Sequence, residues 1–130
     1  MTVTVWHNPK CGTSRNVLEM IRQSGVAPTV VEYLKTGWDA ATLERLATAS
    51  GEGVRGLLRK KEAKAADLLA ADASDAEILA AMIETPVIVE RPIVETPKGV
   101  KLCRPSEAVF ALLDDPPARF VKEDGEVVGG

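Results

Sequence analysis

The segment HNPKCGTSRN, residues 7–16, places Cys11 among polar and basic side chains directly before a predicted helix. A thiol at a helix N-terminus ionises more readily, because the helix dipole and the unpaired N–H groups of the first turn stabilise the thiolate. Thr13 or Ser14 is predicted to cap this helix, and Gly12 permits tight backbone geometry beside the sulfur. The segment therefore predicts a reactive cysteine in a loop that can also cradle an oxyanion.

The side chains around Cys11 favour a reactive thiol over a packing role. Lys10 and Arg15 add positive potential, although each taken singly is more often a solvated charge. The Ser14 hydroxyl can donate to the sulfur, and His7 can either act electrostatically or orient the loop. A cysteine in general is most often a small buried apolar residue, but this one lies in a polar loop rather than an apolar run.

The spacing after Cys11 bears on how its reaction would finish. The third residue beyond it is Ser14, so the loop reads Cys-Gly-Thr-Ser and not Cys-x-x-Cys. Without a local resolving thiol, an external thiol has to complete a redox cycle. The other cysteine, Cys103, lies in a predicted strand next to Arg104, where neighbouring side chains point to opposite faces. We therefore predict that Cys103 is a packing residue.

Three arginines are candidates for binding the electrophile that a nucleophilic thiol needs: Arg59, Arg91 and Arg104. A guanidinium group offers planar, bidentate hydrogen bonds and stays charged, which suits a tetrahedral oxyanion. Each of these arginines taken alone is more often a surface residue, and sequence spacing does not show that they converge.

Composition narrows the class of protein. The chain has 130 residues, 45% of them hydrophobic and 27% charged, which suits one domain with a core. A net charge of −3 gives no basic excess, so no nucleic-acid partner is expected. One His and two Cys are too few for a zinc site, and we expect no metal. No apolar run is long enough for a signal peptide or membrane helix, so we expect a cytoplasmic protein with reduced thiols and no membrane partner.

The elements that must position these residues follow from periodicity and capping signals. Strands are predicted over 2–6, 29–34, part of 86–96 and 100–104, and helices over 13–25, 39–51, 54–71, 74–84 and 105–113. The order β-α-β, helices, β-β, α predicts an α/β fold with a mixed sheet of about four strands and helices on both faces. Residues about 36–85 would form a helical insertion between strand two and the C-terminal hairpin, and residues about 114–130 a loosely attached tail within a single domain, 1–130.

With these residues in place, the chain resembles the ArsC-type, glutathione- and glutaredoxin-linked arsenate reductases. The resemblance rests on HNPxCGTSRN, LLRK, RPIV and LCRPSE in this order, and it extends to KEDGE near the end. It implies a thioredoxin-like fold and the following residues: Cys11 as nucleophile with His7 and Ser14 beside it, Gly12 and Thr13 in the anion loop, Arg59, Arg91 and Arg104 on the oxyanion, and a cis-proline at Pro92.

The implied reaction converts arsenate to arsenite in arsenic detoxification, through a thiol–arsenate adduct on Cys11. Glutathione is then the co-substrate, glutaredoxin resolves the mixed disulfide, and no cofactor is bound. Two alternatives use the same scaffold: a thiol oxidoreductase with another substrate, and a regulator similar to Spx that binds RNA polymerase. Proteins similar to Spx usually carry Cys-x-x-Cys and lack the three arginines, so Ser14, Arg59 and Arg104 argue against that alternative.

Overall fold

The computed structural model describes residues 1–129 and divides into two compact units. One unit comprises Met1–Glu32 and the chain from Arg91 onward, and the other is Tyr33–Glu90. The second unit begins and ends a few residues outside the helical insertion predicted at about 36–85. That the two units form one domain remains a prediction.

The first unit is built on a four-stranded mixed sheet. Its strands are β1 (Thr4–His7), β2 (Thr29–Glu32), β3 (Ile93–Thr96) and β4 (Gly99–Leu102), in the spatial order β2-β1-β3-β4. β1 and β2 are parallel and are joined by helix α1 (Gly12–Gln23), whereas β3 pairs antiparallel with both β1 and β4. The predicted mixed sheet of about four strands is confirmed.

Helix α1 forms because its apolar residues recur at helical spacing on one face. Val17, Met20 and Ile21 are fully buried in the core of the first unit, whereas Arg15 and Glu19 on the opposite face are exposed. The same core contains residues of the sheet and of the segments that follow it, among them Val5, Val94, Cys103, Val109 and Phe120. Burying an apolar side chain of this size contributes about 1.5–3 kcal/mol, so α1 is held mainly by this packed face.

Two predictions for the C-terminal part of the chain need correction. The helix expected over 105–113 is a 3₁₀ helix, Ser106–Leu112. The segment expected as a loose tail, 114–130, instead forms a hairpin of strands β5 (Arg119–Val121) and β6 (Val127–Gly129) in the part that the structure describes. The hairpin is held because Phe120, at 4% exposure, is buried in the core of the first unit.

The second unit is helical. Its helices are α2 (Tyr33–Thr36), α3 (Ala40–Ser50), α4 (Gly53–Gly56), α5 (Ala63–Ala70) and α6 (Asp75–Glu84), followed by a 3₁₀ turn, Pro86–Ile88. Asp39 caps α3 by accepting a hydrogen bond from the Thr42 N–H, and Ser74 and Glu77 form the predicted capping box of α6. No helix within residues 1–129 is long and apolar enough to cross a membrane.

The continuous helix predicted over 54–71 is wrong, because the backbone at 57–59 pairs with the segment 88–90. Leu58 and Val89 form an isolated antiparallel bridge. The Arg59 N–H donates to the Ile88 carbonyl at 2.8 Å, and the Glu90 N–H donates to the Leu57 carbonyl at 2.7 Å. The residues before Pro92 form a 3₁₀ turn and this bridge, and the strand predicted in part of 86–96 begins after Pro92, at Ile93.

Candidate active site

Cys11 is itself the N-cap of α1. Its backbone is extended, with φ −97° and ψ 121°, and the helix begins at the next residue. The Cys11 N–H donates to the Asn8 carbonyl at 3.0 Å, and its own carbonyl accepts from the Arg15 N–H at 3.0 Å. The caps predicted at Thr13 or Ser14 are therefore wrong by two to three residues, and the half-buried thiol lies closer to the first helical turn than the sequence suggested.

The surroundings of the Cys11 thiol favour its ionised form. Burial opposes ionisation, but the backbone N–H of Ser14 and the guanidinium groups of Arg91 and Arg104 outweigh it, so the pKa of Cys11 lies below its ordinary value. The Nη1 atom of Arg104 is 3.8 Å from the Cys11 sulfur. No N–H of the first turn of α1 has the geometry of a capping hydrogen bond to that sulfur, so the Ser14 amide acts as a nearby dipole.

The register of the sheet explains why two distant arginines lie at Cys11. Trp6, one residue before the end of β1, is opposite Ile93 at the start of β3, and Ile93 is opposite Leu102 at the end of β4. The residues beyond these three positions therefore emerge at the same edge of the sheet. Arg91 precedes β3 and Arg104 follows β4, so both reach the edge at which β1 leads into the cysteine segment.

Arg91 and Arg104 are also coupled to each other. The Nη1 atom of Arg104 donates to the Arg91 carbonyl at 2.9 Å, which fixes the orientation of its guanidinium group. Arg91 is buried, at 7% exposure, and Arg104 is half-buried. The peptide bonds Arg91–Pro92 and Arg104–Pro105 are both cis. Two cations beside a half-buried thiol form a site that can hold an anion against the sulfur.

His7 and Ser14 form a buried pair next to the thiol. The Oγ atom of Ser14 is 2.6 Å from Nδ1 of His7 and accepts a hydrogen bond from the Asn8 N–H at 3.2 Å. Burial lowers the pKa of His7; Arg22 and Arg15 lower it further, whereas Glu32 raises it. A neutral imidazole whose Nδ1 accepts a hydrogen bond from the Ser14 hydroxyl fits this geometry. The hydroxyl is thus directed at His7 rather than at the Cys11 sulfur, and a neutral His7 adds no positive charge beside the thiol.

Sequence reasoning missed Asn8, which lies at the centre of the loop. Its side chain is buried at 3% exposure, and its Oδ1 atom accepts from the Lys10 N–H at 3.0 Å. Its carbonyl and N–H contact Cys11 and Ser14 as described above. An asparagine that follows a strand and precedes a proline is typical of an Asx turn, and this signal was available in the sequence.

The β5–β6 hairpin also contacts the segment around Cys11. The expectation of a loose tail over 114–130 did not foresee this contact. Nε of Arg15 donates to the two carboxylate oxygens of Glu123 at 2.8 and 3.2 Å. Nη1 of Arg15 donates to the Pro9 carbonyl at 2.9 Å, and the Glu123 N–H donates to Oδ1 of Asn16 at 3.0 Å. Arg15 is therefore held in one orientation by groups from two parts of the first unit.

The other two residues of the predicted anion loop are Gly12 and Thr13, and both make few contacts. A Cβ added at Gly12 would meet Oε2 of Glu123 at 3.5 Å and Nη2 of Arg15 at 3.6 Å, so space alone does not require glycine there. The Thr13 carbonyl accepts from the Ser106 hydroxyl at 3.4 Å. Both residues lie in the first turn of α1, where their backbone N–H groups face the helix N-terminus.

Arg59 lies in the second unit, where carboxylates on both sides hold it. Its Nη1 atom donates to Glu90 at 2.8 Å, and its Nε atom is 3.9 Å from Glu62. Its side chain is 14% exposed. The structure thus places Cys11, Arg91 and Arg104 together in the first unit and Arg59 in the other.

Cys103 is a packing residue, as predicted. It is fully buried in the core of the first unit, and this burial raises the pKa of its thiol to about 12. Both cysteines are free thiols. Among residues 1–129, no three His, Cys, Asp or Glu side chains are grouped closely enough to hold a metal ion.

Comparisons with known proteins identify the family of the chain. Residues 6–112 match the model of the ArsC family. An arsenate reductase from Rhizobium meliloti is 51% identical over 131 residues, covering 98% of this chain and 94% of that protein. An arsenate reductase from Escherichia coli is 50% identical over 129 residues, covering 97% of this chain and 92% of that protein.

A solved structure gives the same result for the fold. The arsenate reductase from Vibrio cholerae matches with a TM-score of 0.81 at 39% identity, covering 87% of this chain and 98% of that chain. This match confirms the predicted thioredoxin-like α/β fold class. Because the family model spans most of the chain and the relatives match nearly its whole length, the chain belongs to the ArsC family.

Proposed function

We propose that this protein reduces arsenate to arsenite, with Cys11 as the nucleophile. The observation that carries the proposal is the half-buried Cys11 thiol at the N-terminus of α1, with the Arg104 guanidinium 3.8 Å from its sulfur and Arg91 beside it. The relatives named arsenate reductase, at about half identity over nearly the whole chain, support the substrate.

The first step is attack of the Cys11 thiolate on arsenic(V). A sulfur–arsenic bond forms, and one arsenate oxygen leaves as hydroxide or, after taking a proton, as water. Arg91 and Arg104 hold the remaining oxygens and offset their negative charge, and the family resemblance adds Arg59 as a third oxyanion-binding residue. A guanidinium fork suits this task because it donates two parallel hydrogen bonds to a tetrahedral anion.

The second step requires a thiol from outside the chain, because the loop has Ser14 at the position of a resolving cysteine and Cys103 is buried. The glutathione thiolate attacks the Cys11 sulfur of the adduct and forms a disulfide with it. The electron pair of the broken sulfur–arsenic bond stays on arsenic, which becomes trivalent. Glutaredoxin then reduces the Cys11–glutathione disulfide, and a cytoplasmic setting keeps these thiols reduced.

His7 and Ser14 have a positioning role in this proposal. Their 2.6 Å contact and the Asn8 N–H on the Ser14 hydroxyl fix the turn that presents the Ser14 amide to the sulfur. Gly12 and Thr13 supply further N–H groups at the helix N-terminus, where an oxyanion is stabilised. The reaction as written uses two thiols and the arginines, and it calls for no bound metal or organic cofactor.

The test is the formation of arsenite from arsenate in the presence of glutathione and an active glutaredoxin. We expect turnover by the wild-type protein, none by Cys11→Ser, and most of the activity in Cys103→Ser. Absence of arsenite with the wild-type protein, while the glutaredoxin is shown to be active on a standard disulfide, would refute the proposed function.

A further inference from the structure

A groove runs along α1 beside the cysteine loop, and the mechanism above makes no use of it. It encloses about 450 Å³, within the range of roughly 300–1,000 Å³ typical of small-molecule sites. Leu18 and Phe120 give it an apolar surface, and His7 and Pro9 line it. His7 ends β1, and Pro9 lies in the segment that joins β1 to Cys11. A ligand in the groove would therefore lie next to the Cys11 site.

Charged residues of α1 form an alternating row in this groove. Arg15, Glu19 and Arg22 all line it. Arg15 and Arg22 are seven residues apart, so they share one helix face and lie about 10 Å apart along the axis, with Glu19 between them. Helix α1 thus presents two cations separated by an anion, and the Glu123 carboxylate, which also lines the groove, pairs with Arg15.

These groups keep hydrogen-bonding capacity for a ligand. Within residues 1–129, no carboxylate pairs with the exposed Arg22, and Glu19 accepts only a 3.5 Å hydrogen bond from Gln23. Arg15 uses Nε and Nη1 for Glu123 and Pro9, which leaves its Nη2 group available.

The fixed position of Arg15 sets the end of the groove nearest to Cys11. Its Nη2 atom is 3.6 Å from the place of a Cβ on Gly12, the residue directly after Cys11. The bonds to Glu123 and to the Pro9 carbonyl, at 2.8 and 2.9 Å, orient this group towards the N-terminus of α1. A carboxylate bound by Arg15 is therefore anchored next to the reactive thiol.

We propose that this groove is the docking site of glutathione, a thiol tripeptide with a carboxylate at each end and an ammonium group at one. The glycine carboxylate binds Arg15, and the carboxylate and ammonium of the γ-glutamyl end bind Arg22 and Glu19, one helical turn apart. An extended peptide of three residues spans about 10 Å, which matches the separation of the two arginines. The inference rests on the proposed function for its need of an external thiol.

The test uses S-methylglutathione, which has no free thiol, and follows the backbone amides by two-dimensional NMR during a titration. We expect saturable shifts in α1 and in the β5–β6 hairpin. Arg22→Gln should weaken binding at least about fivefold, because it removes a charge-assisted contact. Arg119→Gln is the matched control: it removes the same charge from β5 at an exposed residue outside the groove lining, and it should bind as the wild type does. S-methylcysteine, which lacks the spaced carboxylates, should not saturate these shifts.

Several outcomes would overturn the docking site. These are no saturable shift at up to about 20 mM ligand, equal affinity of Arg22→Gln and wild type, and shifts confined to residues outside α1 and the hairpin. In turnover, Arg22→Gln should raise KM for glutathione and leave KM for arsenate unchanged. Since the titration needs no reaction, a protein that binds S-methylglutathione but forms no arsenite would refute the proposed function and keep the site.

Discussion

Cys11 and Cys103 belong to the same unit, yet their surroundings shift the pKa values of their thiols in opposite directions. Cys11 caps a helix beside two guanidinium groups, and its pKa lies below the ordinary value. Cys103 is packed among apolar side chains, and burial raises its pKa to about 12. The comparison indicates that, in this fold, the dipoles and cations placed around a thiol favour its ionised form, whereas burial alone has the reverse effect.

The largest expected difference between the two cysteines is in alkylation rate. At pH 7, a thiol with a pKa of about 12 is ionised in only about one molecule in 10⁵. We expect iodoacetamide to modify Cys11 of the native protein at least about a thousand times faster than it modifies Cys103. Mass spectrometry of peptides from Cys11→Ser and Cys103→Ser measures the two rates separately. Comparable rates in the folded protein would contradict the contrast.

The arginines beside Cys11 provide a second test, with a smaller expected effect. Arg91→Lys keeps the positive charge but removes the planar fork, so we expect kcat/KM for arsenate to fall by about 10- to 100-fold. The matched control is Arg119→Lys, the same substitution at an exposed arginine on β5. If Arg91→Lys retained wild-type kinetics, the proposed bidentate contact of Arg91 with the oxyanion would be wrong.

The smallest expected effect concerns pH and the single histidine. Burial lowers the pKa of His7, so the unfolded chain binds more protons than the folded one just below pH 6.5. The free energy of unfolding should therefore decrease as the pH falls through about 6.5 towards the lower pKa of the folded state. Denaturant titrations of wild type and His7→Gln measure this, and the variant should lose less stability over that range.

The NMR signal of His7 offers an independent check, because the chain has only one histidine. Its ring protons should titrate below about 6.5 in the folded protein. A midpoint above that value would mean that the imidazole is protonated in the native loop. In that case the Ser14 hydroxyl would accept rather than donate at Nδ1.

Local signals predicted much of the fold. The β-branched run ending at Trp6, the apolar spacing in α1 and the capping box at Ser74 each depend on neighbours in the chain. The break at residues 57–59 was missed because their backbone pairs with 88–90, some 30 residues away, and helix propensity contains no information on that pairing. The hairpin was missed because the contacts that hold it, the burial of Phe120 and the pairing of Glu123 with Arg15, join it to distant parts of the chain.

The features of the candidate site also divide into those that local sequence could predict and those that depend on long-range pairing. The placement of Cys11 directly before a helix could be predicted because a helix start in a polar segment is a local feature, and the reactivity of its thiol stays a prediction. The meeting of Arg91 and Arg104 at Cys11 depends on the register of β1, β3 and β4, which sequence spacing does not specify. The pairing of Arg15 with Glu123 depends on a contact across 108 positions of the chain. Long-range pairing therefore accounts for most of what the sequence alone left open.

An ultraviolet titration of the thiolate in the Cys103→Ser variant tests the central claim most directly, because Cys11 is then the only thiol. The account predicts a midpoint clearly below about 8.5, the ordinary value for a free cysteine. The midpoint should move upwards when Arg104→Gln is added, since this removes the guanidinium 3.8 Å from the sulfur. A midpoint at or above about 8.5 in the parent variant would contradict the account of Cys11 as an activated nucleophile.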